Sequence, residues 1–488
     1  MLFNSIEFAV FFPVVTLLFF LIGRTPRVWL LLVASCIFYM AWNWHYWFYI
    51  GFLFALIGID YTAGIFIEPA KGFRRKLILG ISLAANLSLL GVFKYFNFVN
   101  GNVTALAGMA GWPYAVPNLA LILPIGLSFH TFQALSYTME VYYGRCKAER
   151  NLPIYALYVL FYPQLVAGPI ERPQNLIHQF REQHRFDYNR FVRGIQLMLT
   201  GSFKKMAIAD RLSVVVDSVY DKPTHYSGAQ LLMATYFFAA QIFCDFSGYT
   251  DIARGAATIM GFQIMENFER PYLAPSISAF WRRWHISLST WFRDYVFIPL
   301  GGSRGSRART YFNLAVVFLL SGLWHGANWT YVVWGALHGF FLITYLSTGR
   351  VRAKLAVALG LDKRPLVHHV IAAFISSNLV VFTWIFFRAR NLTDALTIVR
   401  RIITDTVPSR FGDLWQGIDA TQCVIGLALI LALLAAEVMG GKKTIWTWVA
   451  RQPTWLRWSA HYLFVVVLLV LILTNPLKKS QQFIYFQF

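Results

Sequence analysis

A succession of long apolar runs constrains this chain more than any other feature. The runs lie near residues 6–22, 28–44, 46–66, 77–98, 118–139, 152–168, 206–220, 229–262, 311–346, 366–387, 421–439 and 460–475. A helix needs about 20 mostly apolar residues to cross a bilayer. A soluble domain of 488 residues could not cover a composition that is 57% hydrophobic and 13% charged. The pattern predicts a single membrane-embedded domain over residues 1–488, an all-α polytopic transmembrane helical bundle of roughly 11–13 helices. The two longest runs, 229–262 and 311–346, are each expected to contain more than one helix.

Positive charge is concentrated in the segments between the apolar runs. The chain carries 43 Lys and Arg against 22 Asp and Glu, a net charge of +21. In a membrane protein such clusters mark cytoplasmic loops beside anionic headgroups; they include Arg74-Arg75-Lys76, Lys204-Lys205 and Arg304/Arg307/Arg309. The charge therefore indicates membrane lipid, and no nucleic acid, as the partner. The four cysteines form no CxxC pair, which argues against a disulfide framework or a zinc cluster and predicts no metal.

The order of the basic loops predicts which runs cross the membrane. Arg24 and Arg27 place the first loop inside, and the basic residues of 74–76 and 145–150 follow on the same side. The run 152–168 breaks this order, because the segment after it is basic again. Two prolines and a glycine would break a helix there, so the run is predicted to be re-entrant. The stretch 388–410 is also basic and yet falls outside on the same count.

Two histidines in apolar surroundings, His325 and His338, make residues 321–339 the first candidate for chemistry. An ionisable residue inside a membrane is costly and is functional by default. Glycines flank each histidine at GxxxG spacing, which lets helix backbones approach closely and would place His325 in a crowded protein interior. The alternative is a neutral histidine that hydrogen-bonds a neighbouring carbonyl group.

The segment 279–302 holds another histidine, His285, among tryptophans and arginines. As one continuous helix it would present four side chains on one face, those of Trp281, His285, Ser289 and Phe292. Tryptophans with arginines are also typical of a helix that lies in the membrane interface. A tryptophan-anchored interfacial helix is therefore the alternative to a catalytic segment. Histidine suits proton transfer at either site because its pKa is near neutrality.

Acidic residues mark a third region, 244–255. Asp251 and Arg254 are i, i+3 neighbours on a helix and are predicted to pair, whereas Asp245 follows apolar residues. A buried charge needs a partner in any case. We therefore expect structural pairing here rather than catalysis.

Sequence blocks spread over nearly the whole chain resemble the membrane-bound O-acyltransferase family, and its bacterial alginate O-acetyltransferase subgroup most closely. The blocks are Leu2-Phe3-Asn4-Ser5, Pro163-Gln164-Leu165-Val166-Ala167-Gly168-Pro169-Ile170, Trp284-His285-Ile286-Ser287-Leu288-Ser289, Gly322-Leu323-Trp324-His325-Gly326 and the ending Phe483-Ile484-Tyr485-Phe486-Gln487-Phe488. Two histidine blocks in this order, about forty residues apart, are specific to that set.

The resemblance implies a bundle with a funnel from each face to a central histidine. In the family, the histidine that matches His325 is regarded as essential for catalysis, and the one that matches His285 is a second important position. The supporting residues would be Trp324, Asn328, His338, Asp245 and Asp251. No cofactor stays bound, because acetyl-CoA or a similar thioester is the acyl-donor substrate on the cytoplasmic side.

The resemblance also implies the setting of the reaction. The chain would be a multi-pass protein of the bacterial inner (cytoplasmic) membrane that O-acetylates an exopolysaccharide such as alginate. Its partners would be a periplasmic esterase-like (SGNH-type) acetyltransferase and the polysaccharide synthesis and secretion machinery. The acceptor would be a residue of that partner or the polymer itself.

The expected mechanism gives each histidine a role. His325 would act as general base on the accepting hydroxyl, which attacks the thioester carbonyl; a transient acyl-histidine is the alternative. His285 would position the donor or relay a proton. Arginines could hold the donor's phosphates, namely Arg282, Arg283, Arg304, Arg307 and Arg309. Membrane topology alone is the other explanation of these arginines.

The run 311–346 predicts the depth of His325. Basic segments at both of its ends mean that the run crosses and returns, with a turn near Asn328. A helix from Tyr311 to His325 rises about 21 Å, which is less than the hydrocarbon thickness of about 30 Å. His325 is therefore expected near the membrane centre, at the base of an outward-facing cavity.

Two rival functions are consistent with the same residues. A non-enzymatic proton-coupled transporter would also use buried histidines, broken helices and paired charges. Within the family, the rival is D-alanyl transfer to teichoic acid. The ending 483–488 and the chain length favour the acetyl reaction over the D-alanyl reaction.

Overall fold

Helices make up the regular structure of the chain, as the apolar runs predict. The computed structural model describes residues 1–41, 45, 47–165, 168–405, 415–476 and 483–484, and these ranges contain no strand. Val166, Ala167 and residues 485–488 of the sequence blocks lie outside the described residues. The helices are α1 (Ile6–Leu21), α2 (Arg24–Met40), α3 (Tyr49–Ile67), α4 (Gly72–Leu90), α5 (Phe96–Met109), α6 (Leu127–Tyr142), α7 (Leu152–Leu160), α8 (Pro173–Leu176), α9 (Tyr188–Ser202), α10 (Asp210–Tyr220), α11 (Gly228–Met260), α12 (Ile277–Trp281), α13 (Ile286–Phe292), α14 (Arg307–His325), α15 (Trp329–Ser347), α16 (Gly349–Ala358), α17 (Pro365–Arg388), α18 (Leu392–Thr404), α19 (Ala420–Val438), α20 (Gly441–Ala450) and α21 (Thr454–Leu473).

Seven helices in the described part of the chain are long and apolar enough to cross a membrane, by length and composition. They are Tyr49–Ile67, Gly72–Met109, Gly228–Met260, Trp329–Ser347, Pro365–Arg388, Ala420–Val438 and Thr454–Leu473. The second of these joins α4 to α5 through a π-helical turn. These helices confirm a multi-pass membrane protein, while the larger count of 11–13 helices stays a prediction.

The run 229–262 departs from expectation, because it forms one helix rather than several. Helix α11 has 33 residues and is about 50 Å long. It contains no proline, and its glycines serve close packing instead of a break. A Cβ atom on Gly248 would lie only 2.7 Å from the carbonyl oxygen of Gly201. The glycines in this run therefore mark a close contact between helices.

The described residues form two compact units. Unit 1 comprises Met1–Met198 and Ala253–Met265, and unit 2 comprises Leu199–Ile252 and Glu266–Gln487. In unit 1 two pairs of basic segments are in contact. Arg27 Nη1 donates to the carbonyl oxygen of His184 at 2.7 Å, and Arg75 Nη2 donates to that of Val141 at 3.2 Å. Each pair therefore lies at one end of its helices, and a common side for all of these segments stays a prediction.

Unit 1 also contains the predicted break after residue 160. Helix α7 has nine residues, about 14 Å, so it cannot cross about 30 Å of hydrocarbon. The described residues that follow it, 161–165 and 168–170, are buried, and side chains hydrogen-bond the backbone here and in α7. Tyr162 N–H donates to Ser35 Oγ at 3.0 Å, and Gln164 Nε2 donates to the carbonyl oxygen of Tyr158 at 2.7 Å. The broken helix is therefore buried as expected, and its re-entrant placement stays a prediction.

Unit 2 is organised around a close hairpin of α14 and α15, so the run 311–346 contains two helices as expected. The two helices meet at glycines. A Cβ on Gly322 would lie 2.3 Å from the carbonyl oxygen of Tyr331, and one on Gly335 would lie 2.3 Å from that of Phe318. The close approach predicted from the GxxxG spacing is thereby confirmed.

Two arginines of the basic stretch 388–410, of which residues 406–410 lie outside the described part of the chain, have acidic partners in unit 2. Arg388 Nη2 lies 2.6 Å from Asp217 Oδ1, and Arg390 Nη2 lies 2.8 Å from Asp221 Oδ1. The side of the membrane on which this segment lies stays a prediction.

Candidate active site

His325 ends α14 within a cluster of aromatic rings. Its side chain is buried, and its ring centroid lies 5.0 Å from that of Trp324, 4.9 Å from Trp334 and 5.4 Å from Phe387. The helix stops here because Gly326 is extended and the Asn328 side chain caps α15, accepting from Thr330 N–H at 3.0 Å. The turn and the crowded interior expected for His325 are therefore both present.

The segment around His285 differs from the expected continuous helix. Helix α12 ends at Trp281 and α13 begins at Ile286, with His285 between them at φ +44° and ψ +56°. This left-handed conformation is rare for a residue with a side chain and interrupts the helix. The prediction of one face shared by Trp281, His285, Ser289 and Phe292 is therefore wrong.

The interfacial-helix alternative for the same segment is also wrong. Trp284 is 1% exposed and Trp291 is 5% exposed, so neither can anchor the segment at a lipid surface. Trp284 packs on Phe280 with ring centroids 5.4 Å apart and on Trp384 at 5.1 Å. Trp284 and Trp291 therefore belong to the protein core, and Trp281 is half-buried.

His285 and His325 both lie near the ring of Trp324. The Trp324 ring is 6.1 Å from that of His285 and 5.0 Å from that of His325, between centroids. His285 is fully buried against Phe246, at 4.7 Å. This burial lowers the pKa of His285 to about 3, so the imidazole is neutral at physiological pH. The fold thus brings together two histidines that are forty residues apart in the sequence, around one indole ring.

Hydrogen bonds to neighbouring side chains determine which ring nitrogen of His338 carries the proton. Trp281 Nε1–H donates to His338 Nδ1 at 3.3 Å, so the ring proton must sit on Nε2. Nε2 lies 2.9 Å from Thr383 Oγ1, whose own hydroxyl donates to the carbonyl oxygen of Val380 at 2.7 Å. The ring therefore links α12, α15 and α17 as a neutral hydrogen-bonded group, with an indole and a hydroxyl as partners instead of the carbonyl group of the structural alternative.

Asp245 and Asp251 take part in buried ion pairs, so the structural pairing expected for them is confirmed. Asp251 Oδ2 lies 3.2 Å from Lys204 Nζ, and Asp245 Oδ1 lies 2.6 Å from Lys205 Nζ. The Asp251–Arg254 pair stays a prediction. Lys204 and Lys205 had been taken for part of a cytoplasmic loop cluster, although an apolar run follows them directly.

The ending of the chain contributes to this core, which the resemblance alone did not place. Phe483 and Ile484 are both buried. Ile484 N–H donates to Asp245 Oδ2 at 2.7 Å, and the Phe483 ring lies 5.3 Å from that of Phe246. Since Phe246 also contacts His285, the 483–484 segment packs in the layer of side chains directly behind that histidine.

An apolar cavity of about 210 Å³ is lined by residues that include one helical turn's neighbour of each histidine. The lining residues are Trp281, Leu288, Ser289, Phe292, Arg293, Phe297, Leu314, Val317, Phe318 and Ser321. Ser321 lies one helical turn before His325, and Ser289 lies one turn after His285. The lining of α14 extends from Ser321 toward its first turn. The cavity could therefore hold an extended, mostly apolar molecule that reaches to within about one helical turn of each histidine.

The arginines predicted to bind the donor lie outside this cavity. Arg282 donates to Ser278 Oγ at 3.1 Å, and Arg283 is half-buried. The arginines at the start of α14 are exposed, namely Arg304, Arg307 and Arg309. Arg293, which the sequence reasoning did not select, does line the cavity, with a side chain that is largely exposed. The only sequence feature that pointed to Arg293 was its position, eight residues after His285.

The backbone conformation at His285 should reverse the stability order that glycine and alanine variants usually have within a helix. His285→Gly should be more stable than His285→Ala by about 1 kcal/mol, because glycine adopts the left-handed conformation without the Cβ penalty. Both variants lack the imidazole, so the comparison isolates the backbone. Thermal unfolding in detergent measures the order. The same pair at Ser289, inside α13, is the control and should show alanine as the more stable. Alanine being the more stable at both positions would contradict the strained conformation.

Comparison with known proteins identifies the family of the chain. The model of the membrane-bound O-acyltransferase family (MBOAT) matches residues 149–375. A probable alginate O-acetylase of Pseudomonas putida is 37% identical over 100% of both chains, and a peptidoglycan O-acetyltransferase of Helicobacter pylori is 35% identical over 78% of this chain and 74% of its own. A teichoic acid D-alanyltransferase of Bacillus subtilis is 30% identical over 48% of this chain and 63% of its own. The chain therefore belongs to the membrane-bound O-acyltransferase family, in its alginate O-acetyltransferase subgroup, and is an O-acyltransferase.

Proposed function

We propose that the protein moves acetyl groups from a cytoplasmic thioester, acetyl-CoA or a similar donor, to an acceptor outside the bacterial inner membrane. The acetyl groups serve O-acetylation of an exopolysaccharide such as alginate. One observation carries the proposal: two buried histidines both lie near the ring of Trp324, and an apolar cavity with Arg293 among its lining residues begins one helical turn from each of them. The O-acetylase relatives, which match more of the chain than the D-alanyltransferase does, support acetyl as the group.

His325 serves as the general base in the proposed reaction. Its imidazole takes the proton of the accepting hydroxyl, whose oxygen attacks the thioester carbonyl and forms a tetrahedral intermediate. Collapse of that intermediate breaks the carbon–sulfur bond, and the departing thiolate takes the proton back from the imidazolium. A base positioned in this way contributes about 10²–10⁴-fold to the rate. An acyl group carried briefly on His325 is the alternative route to the same products.

His285 completes the pair on the donor side. Because its ring is neutral and buried, it can orient a donor group or pass on a proton without placing a charge in the core. The apolar cavity next to it would receive the donor's thioester arm. Arg293 would face the phosphates, with the exposed arginines of 304–309 nearby along the chain.

The acceptor side needs a hydroxyl group outside the membrane. A periplasmic esterase-like (SGNH-type) acetyltransferase, which carries a nucleophilic serine, fits this chemistry as the immediate acceptor. The synthesis and secretion machinery would present the polymer to it. The names of the relatives support a role in polysaccharide modification. In this role the partner would supply the hydroxyl group that accepts the acetyl group.

Blocking the cavity tests the donor route. Ser321→Phe should lower acetyl transfer at least about tenfold, because the ring would fill space one turn from His325 that the donor must enter. The matched control is Leu320→Phe, whose side chain is exposed on the same helix and which should transfer within about twofold of the wild type. The measurement is transfer of radiolabelled acetyl groups into inside-out membrane vesicles supplied with acetyl-CoA.

Two outcomes would contradict the proposal. Equal transfer by Ser321→Phe and Leu320→Phe would remove the cavity as the donor route. Equal labelling of right-side-out vesicles, which expose the periplasmic face, would contradict a cytoplasmic origin of the acetyl group.

A further inference from the structure

The left-handed conformation of His285 needs a cause, because it is unfavourable for a residue with a side chain. Among the described residues, only Arg270 and His285 combine a side chain with a positive φ. Such a conformation costs about 1–3 kcal/mol and persists only where its surroundings over-determine it. The surroundings that fix His285 lie 16 to 18 residues earlier, in the segment 267–269.

Segment 267–269 holds the backbone on both sides of His285. Before the histidine, Glu269 N–H donates to the carbonyl oxygen of Arg283 at 3.0 Å. After it, Ile286 N–H donates to the carbonyl oxygen of Asn267 at 3.0 Å, and Ser287 N–H donates to Asn267 Oδ1 at 3.1 Å. Asn267 is fully buried. Two of these three hydrogen bonds therefore end on a single residue.

Asn267 provides the N-cap hydrogen bond of α13, which the residue just before a helix usually provides with its own side chain. The first N–H groups of a helix have no partner within it, and the N-cap side chain usually accepts from one of them. The N-cap residue of α13 is His285, and its side chain makes no capping hydrogen bond. With Asn267 as the acceptor, the imidazole is directed toward Phe246 and Trp324 instead.

We propose that Asn267 is a positioning residue for catalysis, which caps α13 from a distance and so holds His285 in the orientation that the reaction needs. This inference rests on the proposed role of His285. Asn267 touches neither donor nor acceptor; it acts through the backbone of the segment that carries the histidine. Its Nδ2 group has no hydrogen-bond acceptor among the described residues, so the oxygen is the atom that matters.

A series of substitutions at Asn267 separates the effect of the acceptor oxygen from the effect of side-chain volume. Asn267→Asp and Asn267→Ser keep an oxygen that can accept from Ser287 N–H, and a carboxylate is favoured at a helix N-terminus. Asn267→Leu keeps the volume without the oxygen, and Asn267→Ala has neither. We expect the leucine and alanine variants to lose roughly 10- to 100-fold in kcat with KM for the donor unchanged, because a small displacement of a reacting group costs that much. The aspartate and serine variants should stay within about fivefold of the wild type.

A second buried asparagine supplies the control for protein stability. Asn313 is also fully buried, and its Nδ2 donates to the carbonyl oxygen of Gly302 at 2.9 Å, without a contact to His285. Asn313→Leu should lower the thermal unfolding temperature to a similar degree as Asn267→Leu while kcat per folded protein stays near the wild-type value. All rates are measured as acetyl transfer in membranes that contain equal amounts of folded protein.

The outcomes separate this inference from the proposed function. Equal kcat for Asn267→Leu and the wild type would overturn the positioning role, and so would an Asn267→Asp variant as slow as Asn267→Ala. A loss of kcat in Asn313→Leu equal to that in Asn267→Leu would reduce Asn267 to a stability residue. By contrast, full activity of His285→Asn, which tolerates the left-handed conformation, would overturn the role of the histidine itself.

Discussion

Replacement of His325 by alanine is expected to abolish O-acetylation while the amount of protein in the membrane stays the same. The imidazole is the only general base in the proposed reaction, and its loss removes about 10²–10⁴-fold of rate. The ring lies among Trp324, Trp334 and Phe387, so the protein keeps its large aromatic contacts when the imidazole is absent. The measurement is the acetyl content of polymer purified from cells that carry the variant as their only copy.

His461 provides a matched histidine control for this experiment. It lies on α21, stacked on Trp446 at 5.2 Å between ring centroids, with Nδ1 beside the carbonyl oxygen of Arg457. His461→Ala should leave the acetyl content near the wild-type value. Normal acetylation in His325→Ala would end the catalytic proposal for that residue. A loss of acetyl content in both variants would point to a general effect of removing a histidine.

Replacement of Lys205 by methionine should prevent the protein from accumulating. Lys205 Nζ lies 2.8 Å from Asp210 Oδ1 and 2.6 Å from Asp245 Oδ1, and all three side chains are buried. Without the ammonium group, two carboxylates would be left close together with no positive partner. Breaking a buried ion pair in this way costs about 3–5 kcal/mol, which is a large part of the free energy of unfolding of a typical protein. The measurement is the amount of protein in the membrane and its thermal unfolding in detergent.

A combined variant shows whether charge is the cause. Lys205→Met together with Asp210→Asn and Asp245→Asn removes both uncompensated carboxylates, so accumulation should return to near the wild-type level. The amide introduced by Asp245→Asn retains an oxygen that can accept from Ile484 N–H. Lys363→Met, at an exposed position, is the control and should have no effect. Normal unfolding of Lys205→Met alone would contradict the assigned ion-pair network.

The environment of His325 could be predicted from the sequence because local features determine it. An apolar run with basic ends must turn back, and paired glycines must bring its two halves together; both features are present in the α14–α15 hairpin. The paired state of Asp245 and Asp251 followed for a similar reason, since any buried carboxylate requires a partner.

The environment of His285 could not be predicted in the same way. Periodicity favoured one helix over 279–302, but the hydrogen bonds that break it come from Asn267, which lies outside that window. Lys204 and Lys205 illustrate the same limit, because a pair of lysines before an apolar run resembles a loop cluster until α11 supplies the carboxylates. Local patterns give the period of an element, whereas tertiary hydrogen bonds decide where it ends.

The position of residues 483–484 has a consequence for biosynthesis. A membrane protein is inserted segment by segment as the ribosome makes it, so the segments that carry His285 and His325 are made long before residues 483–484. The contacts of Phe483 with Phe246 and of Ile484 with Asp245 can form only after that. A nascent chain therefore holds both histidines before the layer of side chains behind His285 is complete.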